Sequence, residues 1–172
     1  MKPPSNVARP ATTISGPSIR LPAKDLAQVR AIAATVVLRT NSRRKPLLFI
    51  GAHALAAAGA MAAILRRNLL TAGFSSVVSK FIGETEKNLD QVFDEAEASG
   101  AILLFDEADA LFGKRSDVKD ARDRFIELAV DDLLRHTGQY GGLVILVSRS
   151  GPSLSMLLRR RFLTYDFPPR RS

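Results

Sequence analysis

Strands alternating with helices along this chain predict an α/β fold, a parallel sheet of about five strands flanked by helices on both faces. Three observations predict it. Short, continuous apolar runs at Leu47–Ile50, Ala101–Phe105 and Leu143–Val147 read as strands buried on both faces. Segments with helical periodicity separate those runs. One run leads directly into two carboxylates, Asp106 and Glu107, at the sheet edge where such folds bind ligands. The 172 residues suffice for one domain with a core of its own and are too few for two comfortable ones.

The elements follow in order. Leu26, Val29, Ile32 and Ala33 recur at helical spacing, so Ala23–Val37 is expected to be an amphipathic helix. Thr40–Lys45 is a polar, basic connector into the first strand. Ala54–Leu70 is rich in strong helix formers and reads as one helix. Phe74–Val78 is the expected second strand. Leu89, Val92, Phe93 and Ala96 fall at i, i+3, i+4 and i+7 and mark a helix that stops near Gly100. After the third strand, Val118–His136 has helical periodicity through Phe125, Leu128, Ala129 and Leu133. Gly141 and Gly142 open the fourth strand. Leu154–Arg161 suits a short helix, and Leu163–Phe167 a last strand closed by Pro168 and Pro169.

Composition excludes some classes of function. With no cysteine there is neither a disulfide framework nor a thiolate zinc site, and two histidines, His53 and His136, argue against a histidine-rich metal site. These features suit a cytoplasmic protein. The net charge of +8 could attract an anionic partner, but no specific nucleic-acid motif accompanies it, and a generally basic surface is the preferred reading. Residues 1–20, rich in Pro, Ser and Thr and without a signal-peptide core, are expected to form a flexible leader. Leu47–Leu65 runs nineteen residues without an acid, lysine or arginine, long enough to span a bilayer. Arg43, Arg44 and Lys45 before it and Arg66 and Arg67 after it give no clear orientation. A buried strand followed by an alanine-rich helix is the preferred reading; a membrane-associated protein anchored by this run is the alternative.

The run Ile102–Phe105 followed by Asp106-Glu107 is a weak signal alone, because many strands end in acids. It has company. Val77-Val78-Ser79-Lys80-Phe81-Ile82-Gly83-Glu84-Thr85-Glu86-Lys87-Asn88-Leu89 lies upstream, and Ala108-Asp109-Ala110-Leu111-Phe112-Gly113-Lys114-Arg115 follows. These stretches closely resemble the AAA+ ATPases. The nearest likeness is to bacterial AAA-family ATP-binding proteins, and a more distant one is to the microtubule-severing and ESCRT-disassembling ATPases. Leu21-Pro22-Ala23 with Leu26-Ala27-Gln28-Val29-Arg30 resembles the first helix of the bacterial group. The similarity covers roughly Leu21 to Pro169 and is densest over Val77–Arg124.

The resemblance implies a P-loop NTPase-like sheet with strand order 5-1-4-3-2, in which residues 21–172 form the large αβα subdomain and the C-terminal helical lid is absent. It implies ATP and Mg²⁺ as cofactors, with Asp106 as the magnesium ligand and Glu107 as the group that activates water. Phe81, Ile82 and Gly83 would sit in a pore loop that grips a protein client; alternatively Phe81 is a core aromatic beneath a turn. Arg159 and Arg160 match paired arginines that reach a neighbouring subunit's nucleotide, a task suited to an always-charged, bidentate guanidinium. The alternative for Arg159–Arg161 is a solvated basic face. The implied partners are other AAA+ subunits, in a homo- or hetero-oligomer, and a protein client.

The chain departs from the family pattern where phosphate should bind. The loop GxxxxGK[ST] is expected after the first strand. Gly51 holds its first position, but Ala56, Ala57 and Ala58 replace the second glycine, the lysine and the hydroxyl residue. Alanine resists the positive φ that lets backbone NH groups wrap a phosphate, and a run of alanines favours extending the helix backwards into the loop. At the sensor 1 position, where relatives carry asparagine, stands Arg149. The expectation is an AAA+ ATPase module that is catalytically impaired, or a pseudo-ATPase serving as a partner subunit in protein remodelling or assembly. A residually active ATPase and a degenerate remnant are the remaining readings.

Overall fold

The computed structural model describes residues 12–14, 20–38, 45–79, 81, 83–109, 121–149 and 160–169. Five parallel strands form the sheet: β2 (Leu47–Ile50), β3 (Leu69–Gly73), β4 (Ile102–Asp106), β5 (Val144–Ser148) and β6 (Leu163–Asp166). Their spatial order is β3-β4-β5-β2-β6, which is the expected 5-1-4-3-2 read from the other edge. Within the segment expected to be a leader, Thr12–Ile14 forms β1, antiparallel to β3 and outermost in the sheet.

Two helical layers cover the sheet. On one face lie α1 (Ala23–Leu38) and α2 (Ala54–Ile64), whose Val29, Ile32, Ala57 and Met61 pack on Leu47, Phe49, Leu104 and Ile145. On the other lie α3 (Phe74–Val77), α4 (Glu84–Ser99) and α5 (Ala121–Gln139). There Phe74, Phe93 and Leu133 pack on Leu103, Phe105 and Leu146. Alternate residues of β4 thus feed opposite cores, and the whole strand up to Phe105 is buried, as its continuous apolar run predicts.

Two expectations need correction. The helix expected over Ala54–Leu70 stops at Ile64, and the second strand is Leu69–Gly73, not Phe74–Val78, which is largely the short helix α3. The stop is a Schellman turn. Arg67 NH donates to the Ala62 carbonyl at 3.0 Å, Arg66 NH donates to Ala63 at 3.2 Å, and Arg66 takes φ 52°. An arginine stands where glycine would advertise the end, so composition hides it. Phe74 and Val77, both buried, lie three apart as one helical turn requires. On α5, Ala129 and Leu133 are buried as expected, but Phe125 and Leu128 are exposed. The short helix expected at 154–161 lies largely outside the described residues.

The apolar run Leu47–Leu65 is divided between β2 and α2, both in the core, and does not form one helix. Among the described residues no helix is long and apolar enough to cross a membrane.

Candidate nucleotide site at the carboxyl edge of the sheet

Parallel register brings the ends of all five strands to one edge. Gly73 is level with Asp106, Phe105 with Leu146, and Ile50 with both Ser148 and Asp166. The acid-bearing end of β4 and the turn after β2 therefore share this edge, with only β5 between them, a separation of about 10 Å from strand spacing.

On the β4 side, Asp106 is half-buried and its Oδ1 accepts the Glu107 NH at 2.7 Å. Glu107 is exposed and takes φ 58°, a left-handed conformation uncommon for a residue with a Cβ. Its Oε2 accepts a hydrogen bond from Ser75 Oγ at 3.2 Å, so the carboxylate leans towards β3. Asp109, in the turn that follows, accepts from Ser148 Oγ at 2.8 Å and from the Arg149 NH at 3.1 Å. This carboxylate ties the end of β4 to the end of β5. No role for Asp109 follows from the motif alone; its signal in the sequence is an acid three residues after Asp106, within reach across one turn.

On the β2 side, the turn is closed on itself and on its neighbours. Gly51 NH donates to the Ser148 carbonyl at 2.9 Å and His53 NH to Phe167 at 3.2 Å. Ala54 NH donates to Gly51 at 3.1 Å and Ala57 NH to His53 at 2.9 Å. Gly51 has φ 118°, and a Cβ there would stand 2.3 Å from the Phe167 carbonyl oxygen, so only glycine fits. Helix α2 starts at Ala54, two residues before the position where a phosphate loop has its second glycine. Ala56 is half-buried, and Ala57 and Ala58 have no exposed surface. His53, which precedes the helix, holds Asp25 of α1 through Nδ1 at 2.8 Å. That pair, unforeseen in the sequence, fixes the starts of α1 and α2 side by side.

The remaining expected residues are dispersed. Phe81 is exposed, which rules out a core position beneath a turn. Its NH donates to Ser79 Oγ at 3.2 Å, and Ser79 Oγ donates to Glu84 at 2.6 Å. Thr85 bonds the Ser79 backbone at both donor and acceptor. Gly83 supplies φ 80° where the loop enters α4. The loop thus presents Phe81 outward from a bonded base; Ile82 lies outside the described residues. Arg149 is exposed beside Ser148. Arg160 is exposed at the opposite edge of the sheet, its carbonyl accepting from Lys45 at 2.8 Å, and Arg159 lies outside the described residues.

These residues fit a metal–triphosphate only in part. The β4 end offers carboxylates suited to a divalent cation, although among the described residues no group of three or more potential ligands gathers around one point. The β2 turn offers no ammonium and no hydroxyl, and four of its NH groups already meet protein carbonyls. The phosphate half does not fit.

A parallel sheet in this order, with an acidic strand end two strands from a glycine-led turn, defines an α/β protein of the P-loop NTPase-like class. The model of the AAA family, the ATPase family associated with various cellular activities, matches residues 52–167, and the chain belongs to that family. It is 36% identical over 104 residues to the ATPase family gene 2 protein of Schizosaccharomyces pombe, covering 59% of this chain and 13% of that one. It is 30% identical over 93 residues to the vacuolar protein sorting-associated protein 4 of Dictyostelium discoideum, covering 51% of this chain and 20% of the other. The chain therefore spans a small part of either relative's length.

Proposed function

We propose that this chain is an AAA module that does not hydrolyse ATP by itself and acts as a partner subunit in protein remodelling or assembly. One observation carries the reading. The NH groups of Gly51, His53, Ala54 and Ala57 are bonded to carbonyls of the protein, and buried alanines fill the lysine and hydroxyl positions. Phosphoryl transfer in this class is almost entirely positioning and charge stabilisation, so a loop that can do neither removes most of the catalysis. Asp106 and Glu107 then form the acidic half of a site without its phosphate half.

The partner role draws on residues that the closed turn leaves untouched. Arg160, exposed at the far edge, and its sequence neighbour Arg159 would carry the contact with a neighbouring subunit's nucleotide. Exposed Phe81, on its bonded base beside Gly83, suits contact with a protein client. Arg149 substitutes a cation where a neutral polar group would position water.

Hydrolysis of ATP by the protein is expected to match that of an Asp106→Ala/Glu107→Ala control, with and without Mg²⁺. Magnesium-dependent turnover clearly above the control would overturn the reading. A fluorescent ATP analogue titrated against the protein separates absence of binding, which is expected, from binding without chemistry.

A further inference from the structure

Thr12, Thr13 and Ile14 are three β-branched residues in a segment bracketed by Pro10 and Pro17. β-Branching favours extended backbone, and proline, which has no NH to offer a ladder, limits how far pairing can spread on either side. The result is β1, a strand of three residues laid antiparallel on the five residues of β3. Thr12 stands opposite Thr71, Thr13 opposite Leu70 and Ile14 opposite Leu69.

The parity of the ladder shows what β1 covers. Ile102 NH donates to the Asn68 carbonyl at 2.8 Å, so Asn68, Leu70 and Ala72 turn their backbone groups towards β4. Leu69, Thr71 and Gly73 turn theirs the other way, where Ile14 and Thr12 meet the first two and Gly73 has no opposite residue in β1. Thr71 Oγ1 is buried and has no hydrogen-bond partner among the described residues. The resident strand thus serves the main chain of the edge and leaves a buried hydroxyl unsatisfied, a defect that a better-matched strand would remove.

We propose that this edge of β3 binds an extended polypeptide by antiparallel strand addition, and that β1 is an internal guard strand which the incoming segment displaces. The seated strand defines the ligand class, an extended main chain running antiparallel to β3. An open edge is a template for unwanted pairing, and a short strand covers it without sealing it. Main-chain bonds to two residues roughly offset the entropy of ordering three, so β1 holds its place mainly through its tether, which competes at an effective concentration on the order of 1 mM. The orphaned hydroxyl adds selectivity. Opposed residues of an antiparallel pair share a face, so a side-chain amide opposite Thr71 lies beside Oγ1, and asparagine or glutamine is preferred there. The inference uses neither the closed β2 turn nor Asp106 and Glu107, and stands apart from the function proposed above.

Amide hydrogen exchange of the full chain, read by NMR, reports on the edge directly. Ile14→Pro removes an NH aimed at β3, and the Leu69 and Thr71 amides should then exchange at least about ten-fold faster. Leu70 and Ala72, bonded to β4, should not change. Thr13→Pro, whose NH points away from β3, should leave all four as they are. A fluorescent synthetic peptide of residues 9–16 should bind the Ile14→Pro protein at least about ten-fold more tightly than wild type, because its tethered competitor is gone, and should restore protection of Leu69 and Thr71. The same peptide carrying Thr12→Asn should bind more tightly still, and one N-methylated at Ile14 should not bind. Failure of the Ile14→Pro protein to bind the peptide, or equal binding of the N-methylated form, would overturn the proposal. So would lost protection at Leu70 and Ala72, which would make β1 part of the fold's core support. Protection that returns with rising protein concentration and no peptide would overturn the choice of occupant, the edge then pairing with a second copy.

Discussion

The two halves of the candidate site are built alike and have ended differently. Each is a buried strand running into a turn at the same sheet edge, β4 into Asp106-Glu107 and β2 into Gly51–His53. The β4 turn remains open: Asp106 is half-buried, and Glu107 is exposed in a left-handed conformation. The β2 turn is closed by carbonyls of β5 and of Phe167 and roofed by alanines with no exposed surface. The difference shows what each half requires. An acid pair is positioned by the hydrophobic strand behind it, which the core needs in any case. A phosphate loop requires glycine and lysine at positions where neither contributes to packing, and alanine in their place gains roughly 1 kcal/mol of helix propensity over glycine. Stability and phosphate binding therefore compete at the β2 turn and do not compete at the end of β4.

The largest expected effect comes from putting the lysine back. Ala57 is fully buried, so Ala57→Lys places an ammonium in the core beside Phe49 and Phe167 without a counter-ion. Destabilisation of about 3–5 kcal/mol is expected, read from urea unfolding, with no gain in binding of a fluorescent ATP analogue. If the variant keeps wild-type stability and binds the analogue, the β2 turn is open in solution and the contrast between the two halves fails.

This contrast also sets how much could be read in advance. The parallel sheet and the acid pair were legible because a doubly covered strand must be continuously apolar, and Leu47–Ile50, Ile102–Phe105 and Val144–Val147 are; the strand order came from the family resemblance. The backward extension of α2 was legible from the propensity of Ala54–Ala58. The end of α2 was not, since Arg66 adopts a left-handed conformation that its side chain does not advertise. Nor were the long-range ties His53–Asp25 and Asp109–Ser148, which join residues 28 and 39 positions apart. Helical spacing grouped Phe125 and Leu128 with Ala129 and Leu133 because periodicity records amphipathy and cannot tell a buried position from an exposed one.

An intermediate effect concerns how β4 is held. Tyr140, which follows α5, donates from its buried hydroxyl to the Ala101 carbonyl at 2.7 Å, just before β4 begins. Burial pushes the Tyr140 hydroxyl above its ordinary value near 10, with Glu97 adding to the rise and Arg67 opposing it. The folded state thus holds the proton more tightly than the unfolded chain. This contribution is present in full below about pH 10 and is lost as pH rises through the folded value. Tyr140→Phe is expected to cost about 1–2 kcal/mol at neutral pH by removing the hydrogen bond. It should also flatten the decline in stability above pH 10, measured by urea unfolding at several pH values. An unchanged alkaline decline would assign it to other groups and leave the start of β4 without this anchor.

The smallest effect tests whether the open half is strained. Glu107 holds φ 58° with a Cβ in place, a conformation that costs roughly 1 kcal/mol and that glycine adopts freely. Its hydrogen bond to Ser75 is exposed and 3.2 Å long, so little is lost with the side chain. Glu107→Gly is therefore expected to stabilise the protein by about 0.5–1 kcal/mol, the opposite sign to the effect of Ala57→Lys at the other half. A destabilisation of similar size would mean that the carboxylate contributes more to the fold than its one visible bond accounts for. The β4 end would then be a structural feature of the domain, and its openness no mark of a retained site.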